Sequence, residues 1–267
     1  MAETLGMRLK GRVAIVTGGG QGVGLGIVRR FAREGAAILL AQRNADQGTA
    51  TVAMLKSEFG VEASYVKTDV TKVDQVDAMV AAAVDRLGGV DILVNNAGGS
   101  FPKRLENHTD ADMAAGLDLN FWGSFWAMRA AFPHMKAKKW GRVINLGSLN
   151  GVNAHMFTAQ YNVGKEAVRA LTRTAAVEWG PHGITCNIIC PAVGSPAADI
   201  YYEKNPEMFE AIRLQIPRGR LGDPEADVGG VAAFLASDDA AHVNGTTQFV
   251  DGGSHVNGVA WRPDVED

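Results

Sequence analysis

Three residues near the middle of the chain have the types and spacing needed to exchange a proton with a substrate oxygen. Tyr161 and Lys165 are four residues apart at the start of a segment with helical periodicity, so their side chains share one helical face. An ammonium close to a phenol favours the ionised phenol, whose ordinary pKa is about 10. Ser148 follows Gly147 at the end of an apolar run, thirteen residues before Tyr161. We therefore expect acid–base chemistry at a hydroxyl or carbonyl group.

A glycine-rich turn near the start of the chain is suited to hold a phosphate group. The apolar run Val13–Thr17 leads into the pattern T-G-x-x-x-G-x-G, and a segment with helical periodicity follows. Glycines let backbone N–H groups approach a diphosphate, and the positive end of the following helix stabilises its charge. The turn predicts a nucleotide site with the candidate residues Gly18, Gln21, Gly22, Val23 and Gly24.

Strand-like and helix-like segments alternate along the chain. Short β-branched and aliphatic runs predict seven buried strands, at Val13–Thr17, Ile38–Ala41, Ala63–Lys67, Ile92–Asn95, Arg142–Leu146, Ile184–Ile189 and Thr247–Val250. Segments with helical periodicity lie between them, at Gly24–Glu34, Ala45–Phe59, Lys72–Leu87, Asp110–Met135, Ala159–Trp179 and Asp223–Leu235. This alternation predicts an α/β protein. We expect a single-domain Rossmann fold with a doubly wound, parallel, seven-stranded sheet and helices on both faces.

No linker-like segment or internal repeat divides the chain, so residues 1–267 are expected to form one domain. Segment 194–217 interrupts the alternation with three X-Pro breaks around an aromatic-rich stretch. It is expected to be a substrate lid, with an ordinary pair of surface helices as the alternative. Residues 255–267 form a C-terminal tail that is expected either to reach a neighbouring subunit's site or to remain disordered.

The composition favours an enzyme of small molecules. A net charge of -3 and an isoelectric point near 6.1 give no basic footprint for nucleic acid or an anionic membrane. Neither a secretory signal nor an apolar run of about 18 residues is found, so a cytoplasmic location is expected. The six histidines are scattered, and no metal site is expected. Cys186 and Cys190 are expected to be buried, reduced thiols.

The motifs occur together in one known family. Asn95-Asn96-Ala97-Gly98 closes the fourth predicted strand, between the glycine turn and the Ser148, Tyr161 and Lys165 group. With these motifs, the sequence resembles the short-chain dehydrogenase/reductase family from Leu9 to Ser254. The resemblance implies an NAD(P)-dependent alcohol dehydrogenase or ketoreductase, which transfers a hydride between a nicotinamide and a secondary alcohol or ketone. The enoyl reductase variant is not expected, because its tyrosine and lysine are spaced more widely.

The resemblance also implies a role for each of four catalytic residues. Tyr161 would exchange the proton with the substrate oxygen, and Ser148 would hold that oxygen. Lys165 would bind the nicotinamide ribose and lower the pKa of Tyr161. Asn120, in the middle of a predicted helix, would hold a water that connects Lys165 to solvent. Asparagine has a poor helix propensity, so a proton relay would explain its presence there.

The end of the second predicted strand indicates the favoured cofactor. In the family, an acidic residue at this place binds the ribose hydroxyls of NAD, but here Gln42 takes the place and Arg43 follows. A guanidinium suits the 2′-phosphate of NADP, so NADP(H) is favoured and NAD(H) is possible. The alternative is that Arg43 is a solvated surface cation beside Asp46.

Further cofactor contacts are implied by the resemblance. The matching residues are Asp69, Val70, Asn95, Ala97, Gly98, Tyr161, Lys165, Pro191 and Val193. Taken by itself, Asp69 could instead be a helix N-cap, because an aspartate there often caps the next helix. The sequence departs from the family after the sixth strand, where Pro191-Ala192 stands in place of Pro-Gly. Ser195 is the candidate replacement for the family's nicotinamide-binding threonine.

Substrate recognition is expected between the serine and the tyrosine. The candidate substrate residues are Asn150, His155 and Phe157, with His155 as the polar specificity residue. They predict an apolar pocket with a few polar anchors, suited to an uncharged, fairly bulky alcohol or ketone. Core packing, a subunit contact or a plain surface histidine are the alternatives.

Two other functions stay open. A 3-oxoacyl-[acyl-carrier-protein] reductase would need a basic docking surface, for which the candidates are Arg129, Lys136, Lys138, Lys139 and Arg142. A catalytically silent nucleotide-binding regulator has no chemical need for all four catalytic residues. The resemblance further implies a homo-oligomer, a dimer or a homotetramer, built on the helices Asp110–Met135 and Ala159–Trp179.

Overall fold

A seven-stranded parallel sheet forms the centre of the molecule. The computed structural model describes residues 7–194 and 203–256. The strands are β1 (Val13–Thr17), β2 (Ala37–Gln42), β3 (Ala63–Lys67), β4 (Ile92–Asn95), β5 (Gly141–Leu146), β6 (Ile184–Pro191) and β7 (Thr247–Val250), in the spatial order β3-β2-β1-β4-β5-β6-β7. All neighbouring strands are parallel. Every residue of β1, β4 and β5 is buried, which explains the apolar runs of β1 and β4.

Helices cover both faces of this sheet. They are α1 (Gly22–Arg33), α2 (Ala45–Phe59), α3 (Val73–Leu87), α4 (Asp110–Leu117), α5 (Gly123–Lys138), α6 (Leu149–Val152), α7 (Ala159–Trp179), α8 (Pro206–Gln215) and α9 (Gly230–Ala236). Ala14 and Val16 of β1 pack in one apolar core with α1 and α9, whereas Ile15 packs in a second core with α3 and α5. Because neighbouring strand residues face opposite sides, the two cores lie on opposite faces. The predicted doubly wound fold is confirmed.

Two predicted helices are each interrupted by a π-helical turn. Asp110–Met135 divides into α4, a π-turn at Asp118–Trp122 and α5. The segment predicted as Asp223–Leu235 begins with a π-turn at Pro224–Gly229 before α9. A π-turn leaves the helical periodicity of the sequence unchanged, so the sequence pattern does not predict it.

The segment expected to be a lid is only partly described. Residues 203–217 contain α8, which begins at Pro206 after the N-cap Asn205. Residues 195–202, with the candidate Ser195, lie outside the described part, as do residues 257–267 of the predicted tail. Three short 3₁₀ helices complete the described chain, at Leu105–Asn107, Gly180–His182 and Asp238–Ala240.

The remaining sequence expectations concern thiols, metals and membranes. Cys186 and Cys190 are unpaired and buried in β6, as expected, and burial raises the pKa of their thiols to about 12 and about 11. Within residues 7–194 and 203–256, no three His, Cys, Asp or Glu side chains converge as metal ligands would. No helix in this part of the chain has the length and apolar character to span a bilayer.

Candidate active site

A cleft opens where the order of the strands reverses. β1 lies between β2 and β4, so the chain leaves β1 toward one side of the sheet and later returns to the other side. Ligands bind at such switch points, at the carboxyl ends of the strands. The cleft has a volume of about 570 Å³. Its lining includes the predicted residues Gly18, Gln21, Gly22, Val23, Gly24, Arg43, Asp69, Val70, Ala97, Gly98 and Tyr161.

The glycine turn places unshielded backbone at one end of the cleft. Gly18 adopts φ +66°, and a Cβ on Gly24 would lie 2.2 Å from the Gly18 carbonyl oxygen, so position 24 requires glycine. The N-cap residue of α1, Gln21, makes no side-chain bond to the helix, and the first turn carries no acidic residue. The first N–H groups of α1 are thus left for an anion.

The residues after β2 carry no carboxylate at the cleft. Gln42 is buried, and its Nε2 donates to the Asn44 carbonyl (3.0 Å) and to Gln47 Oε1 (3.1 Å). Arg43 is exposed at the rim of the cleft. No Asp or Glu of residues 7–194 or 203–256 lies within ion-pair distance of Arg43, Asp46 included. The guanidinium is therefore available to a ligand phosphate.

Asp69 is held at the cleft by a turn rather than by a helix cap. Its Oδ1 accepts from the Thr71 backbone N (3.0 Å) and hydroxyl (2.8 Å), while the N-cap position of α3 belongs to Lys72. Burial, which would raise the pKa of Asp69, is outweighed by these two bonds and by the charge of Arg43, so its pKa is lowered. The helix-capping alternative is wrong, because the helix begins at Val73.

At the end of β4, the structure shifts the predicted contact by one residue. Asn95 does not line the cleft, since it is buried and its Nδ2 donates to Asn145 Oδ1 at 2.8 Å. Asn96 lines it instead, and its Nδ2 donates to the carbonyls of Thr17 (2.9 Å) and Gly18 (3.0 Å). Alternation along the strand turns these neighbours in opposite directions. Asn96 is thus a residue that the sequence reading missed.

Three further predicted cofactor residues lie outside the lining of this cleft. Pro191 ends β6, and Val193 forms an isolated parallel bridge with Gly222. Both are next to the undescribed residues 195–202. Lys165 is buried behind the cleft wall, where its Nζ lies 3.0 Å from a Cβ built on Gly98.

Ser148 and Tyr161 meet at the reacting end. Ser148 is half-buried at the N-cap of α6, and Tyr161 is half-buried on the first turn of α7. Burial raises the pKa of the Tyr161 phenol, and a hydrogen bond from Ser148 acts in the opposite direction without cancelling the rise. The two hydroxyl groups are thus close enough to act on one substrate oxygen.

Lys165 does not lower the pKa of Tyr161, although their spacing led us to expect it. Its Nζ donates to the Leu146 carbonyl at 2.8 Å and lies 5.5 Å from the centre of the Tyr161 ring. Burial lowers the pKa of Lys165 to about 8. The pKa of Tyr161 is raised, because the effect of burial on the phenol is the largest one acting there.

Asn120 lies in the π-turn between α4 and α5 and closes the site from behind. Its Nδ2 donates to the carbonyls of Gly99 and Gly116 (3.0 Å each), and its Oδ1 accepts from the Gly99 N (3.0 Å). A Cβ on Gly98 would come within 2.8 Å of Asn120 Oδ1 and 3.0 Å of Lys165 Nζ. The asparagine and the lysine therefore line one small space.

The three predicted substrate residues are not equivalent. Asn150 lies beside Ser148, with its backbone N 3.1 Å from Ser148 Oγ. The side chains of His155 and Phe157 are exposed on the loop before α7, and Phe157 adopts φ +66°. The structure thus places Asn150 at the serine and the other two on a neighbouring rim.

The basic surface considered for an acyl carrier protein is not continuous. Arg142 is only 3% exposed, and its guanidinium bonds the Ser237 carbonyl (3.2 Å) and Asp238 (3.3 Å). Lys138 forms an ion pair with Asp91 (2.6 Å). Including Arg142 in a docking surface was wrong, because it is a strand residue with its side chain inside the protein.

Sequence comparisons identify relatives along nearly the whole chain. A family model described as "Enoyl-(Acyl carrier protein) reductase" matches residues 18–255. The chain is 37% identical over 246 residues to 3beta-hydroxysteroid dehydrogenase 1 of Eggerthella lenta, covering 92% of this chain and 94% of that one. The chain belongs to the short-chain dehydrogenase/reductase family. Like its relatives, this short-chain dehydrogenase/reductase is an alcohol dehydrogenase or ketoreductase acting on small molecules with a nicotinamide cofactor.

Other relatives show how varied the substrates of such enzymes are. The short-chain dehydrogenase/reductase is 36% identical over 252 residues to galactitol 2-dehydrogenase (L-tagatose-forming) of Cereibacter sphaeroides, covering 93% and 97% of the two chains. The crystal structure of levodione reductase matches with a TM-score of 0.87 and 30% identity, covering 93% and 99%. The crystal structure of an actinorhodin polyketide ketoreductase variant with NADPH matches with a TM-score of 0.86 and 32% identity. The match covers 92% of this chain and 97% of that one.

Proposed function

We propose that the protein transfers a hydride reversibly between NADP(H) and a secondary alcohol or ketone. The observation that supports this most is the convergence of Ser148, Tyr161, Lys165 and Asn120 at one end of a cleft whose other end exposes Arg43. The bound nicotinamide would supply or accept the hydride. The chain's own task is then to bind both partners and to move one proton.

The catalytic residues divide this task among them. In reduction, the Tyr161 hydroxyl gives its proton to the substrate oxygen, and in oxidation it takes the proton back. The Ser148 hydroxyl donates a hydrogen bond to the same oxygen and stabilises the charge that develops there. Lys165, with its pKa already lowered to about 8, binds the ribose and exchanges protons near neutral pH. Asn120 orients the relay from Lys165 to solvent.

NADP(H) is the favoured cofactor, and NAD(H) is possible. A 2′-phosphate at the end of β2 would meet the exposed Arg43, while the buried Gln42 is already engaged with Asn44 and Gln47. Asp69 would accept from the adenine amino group through Oδ2. The N–H groups at the start of α1 would bind the diphosphate.

The substrate class is proposed from the rim around the serine. Met156 and Phe157 expose 77% and 45% of their surface there, which favours an apolar substrate body. An uncharged, bulky cyclic alcohol or ketone fits this rim, and two relatives are named hydroxysteroid dehydrogenases. We further propose that the protein is cytoplasmic and forms a homotetramer. Each chain would be a single domain, with segment 194–217 as the substrate lid.

Cofactor choice is tested by titrating NADPH and NADH against the wild type and Arg43→Ala. We expect the wild type to prefer NADPH, and we expect this preference to fall by about 10-fold in the variant, as one charge-assisted pair is lost. Lys56→Ala, which removes an exposed cation at the far end of α2, is the matched control and should keep the preference. Equal binding of both cofactors by the wild type would reject the NADP assignment.

Catalysis is tested with Tyr161→Phe, assayed with NADPH and a panel of a 3-oxosteroid, cyclohexanone and L-tagatose. We expect kcat to fall by about 10² to 10⁴, the usual contribution of a general acid, with NADPH affinity unchanged. Tyr65→Phe is the control, since Tyr65 donates to the Gln42 carbonyl far from Ser148 and its loss should leave kcat intact. Near-normal turnover by Tyr161→Phe would overturn the proposed mechanism.

A further inference from the structure

Thr158, the N-cap residue of α7, does not cap that helix. A threonine at an N-cap ordinarily accepts a hydrogen bond from an N–H of the first turn, but Thr158 makes no such bond. Its hydroxyl accepts a hydrogen bond from Asn150 Nδ2 (3.3 Å). The same hydroxyl can donate to Asn162 Oδ1 (2.8 Å) or to the His155 carbonyl (3.2 Å). The helix that carries Tyr161 thus forgoes a cap, and the hydroxyl bonds neighbouring segments instead.

At the other end of this link, Asn150 contacts the serine twice. Its backbone N donates to Ser148 Oγ at 3.1 Å, and its Oδ1 lies 3.4 Å from the same oxygen as an acceptor. The side-chain Nδ2 of Asn150 donates a hydrogen bond to the Thr158 hydroxyl. The side chain therefore spans the gap between the loop that holds Ser148 and the start of the helix that holds Tyr161.

The loop between these segments is held in an unfavourable backbone conformation. Ala154 and Phe157 adopt φ +51° and +66°, where non-glycine residues are uncommon and their backbone is strained. His155 N donates to the Asn150 carbonyl (2.9 Å), and Asn162 Nδ2 donates to the His155 carbonyl (3.0 Å). These bonds keep the strained loop in place, and so they also keep the distance between Asn150 and Thr158.

We propose that Asn150 is a positioning residue that holds Ser148 Oγ in place beside Tyr161 by joining Ser148 to Thr158. A serine hydroxyl rotates freely about one bond, and reacting groups lose most of their effect when they are displaced by about 1 Å. The inference rests on the proposed function of Ser148 and Tyr161. It replaces the direct substrate contact expected of Asn150 with an action through Ser148.

A double-mutant cycle tests whether Asn150 acts through Ser148. The wild type, Asn150→Ala, Ser148→Ala and the double variant are assayed with NADPH and the fastest ketone of the panel. We expect Asn150→Ala to lower kcat by about 10- to 100-fold, with the NADPH dissociation constant unchanged. In the Ser148→Ala background, the same change should alter kcat by less than about twofold, because the residue that it orients is gone. The same loss in both backgrounds would overturn the proposal.

The Thr158 end supplies a second test that does not depend on Asn150→Ala folding. Thr158→Val keeps the shape but removes the hydroxyl, whereas Thr158→Ser keeps the hydroxyl. We expect the valine variant to lose kcat about as Asn150→Ala does and the serine variant to retain most of it, with equal urea midpoints. Equal kcat in the two variants would reject the link.

Failure of this inference is distinguishable from failure of the proposed function. If Ser148→Ala and Tyr161→Phe both keep wild-type kcat, the proposed chemistry itself is wrong. If those two variants lose turnover while Asn150→Ala and Thr158→Val do not, only the positioning role is rejected.

Discussion

Lys165 lies in an environment that a lysine rarely occupies. An ammonium normally lies in water, but this side chain is 4% exposed and its Nζ bonds only the Leu146 carbonyl among the described residues. Because burial disfavours the charged form, the pKa falls from 10.5 to about 8. The protein thus keeps a lysine that gains and loses its proton near physiological pH, which is what a relay residue needs.

This burial predicts a pH dependence of stability. Between about pH 8 and pH 10.5 the unfolded chain binds more protons at this lysine than the folded protein does, so the contribution of Lys165 to the free energy of unfolding increases with pH. Relative to Lys165→Met, the wild type should gain roughly 3 kcal/mol across that interval, measured by urea unfolding at several pH values. Below pH 8 the difference should be constant.

The difference between the two proteins is the quantity to measure, because buried thiols act in the opposite direction. Cys186 and Cys190 have raised pKa values, so each remains protonated when folded and lowers stability as pH rises above about 9. Both proteins carry these thiols, so the effect of Cys186 cancels in the comparison, and that of Cys190 cancels except for its interaction with the charge of Lys165. A difference that does not change between pH 8 and pH 10.5 would contradict the lowered pKa of Lys165.

For individual residues, the sequence predicted which side chains converge at the site better than it predicted the direction in which each side chain points. Ser148, Tyr161, Lys165 and Asn120 converge as their motifs indicated, since helix spacing and strand ends place them. The Asn96 side chain faces the cleft and the predicted Asn95 side chain does not, because the direction depends on where the alternation of β4 ends. The sequence did not predict the hydrogen bonds between Asn150 and Thr158, since they arise from loop conformation and not from a repeating pattern.

Among the elements, the turn from β1 to α1 is tightly constrained. Gly24 has no room for a Cβ, because the Gly18 carbonyl oxygen would lie 2.2 Å away, and Asn96 Nδ2 would lie 2.5 Å away. Both neighbours are fixed, one as backbone and the other by its bonds to the Thr17 and Gly18 carbonyls. A side chain at Gly24 must therefore push the turn out of shape.

We expect Gly24→Ala to weaken NADPH binding by at least about 10-fold and to destabilise the protein by roughly 1–3 kcal/mol, as overpacking usually does. Gly230→Ala in α9 is the control, since Arg30 Nη1 at 3.6 Å is the nearest atom to its added Cβ. That variant should bind NADPH normally and gain up to about 1 kcal/mol from the better helix former. Fluorescence titration and urea unfolding measure both effects, and normal binding by Gly24→Ala would contradict the placement of the diphosphate.

The regular elements were predicted almost completely, while their interruptions were not. β1, β3, β4, β7, α2 and α7 have the bounds expected from the sequence, because apolar runs and helical periodicity end sharply there. The π-turn at Asp118–Trp122 was missed, since it preserves the periodic pattern. It nevertheless positions a predicted site residue, because it directs the Asn120 side chain toward the carbonyls of Gly99 and Gly116.

For the whole molecule, α5, α7 and the π-turn before α5 leave an apolar surface uncovered within the described part of the chain. Trp122, Val163 and Val177 are 39%, 46% and 78% exposed, and a small cavity of about 120 Å³ lies among Phe125, Met128, Arg129, Phe132, Leu171 and Trp179. Trp122 stacks with Trp126 at 6.0 Å, which extends the aromatic area. Exposed apolar surface of this kind favours association, and it supports the proposed homo-oligomer.

A charge placed on this surface should separate the subunits. Val177→Asp would bury an unpaired carboxylate at each interface, a cost large enough to shift a marginal assembly toward smaller species. We expect the mass measured by light scattering at micromolar concentration to fall to a half or a quarter of the wild-type value. Val73→Asp is the control, because Val73 is 37% exposed and starts α3, where an acidic residue suits the helix. If the wild type is already a monomer, or if both variants keep its mass, α5 and α7 do not form the interface.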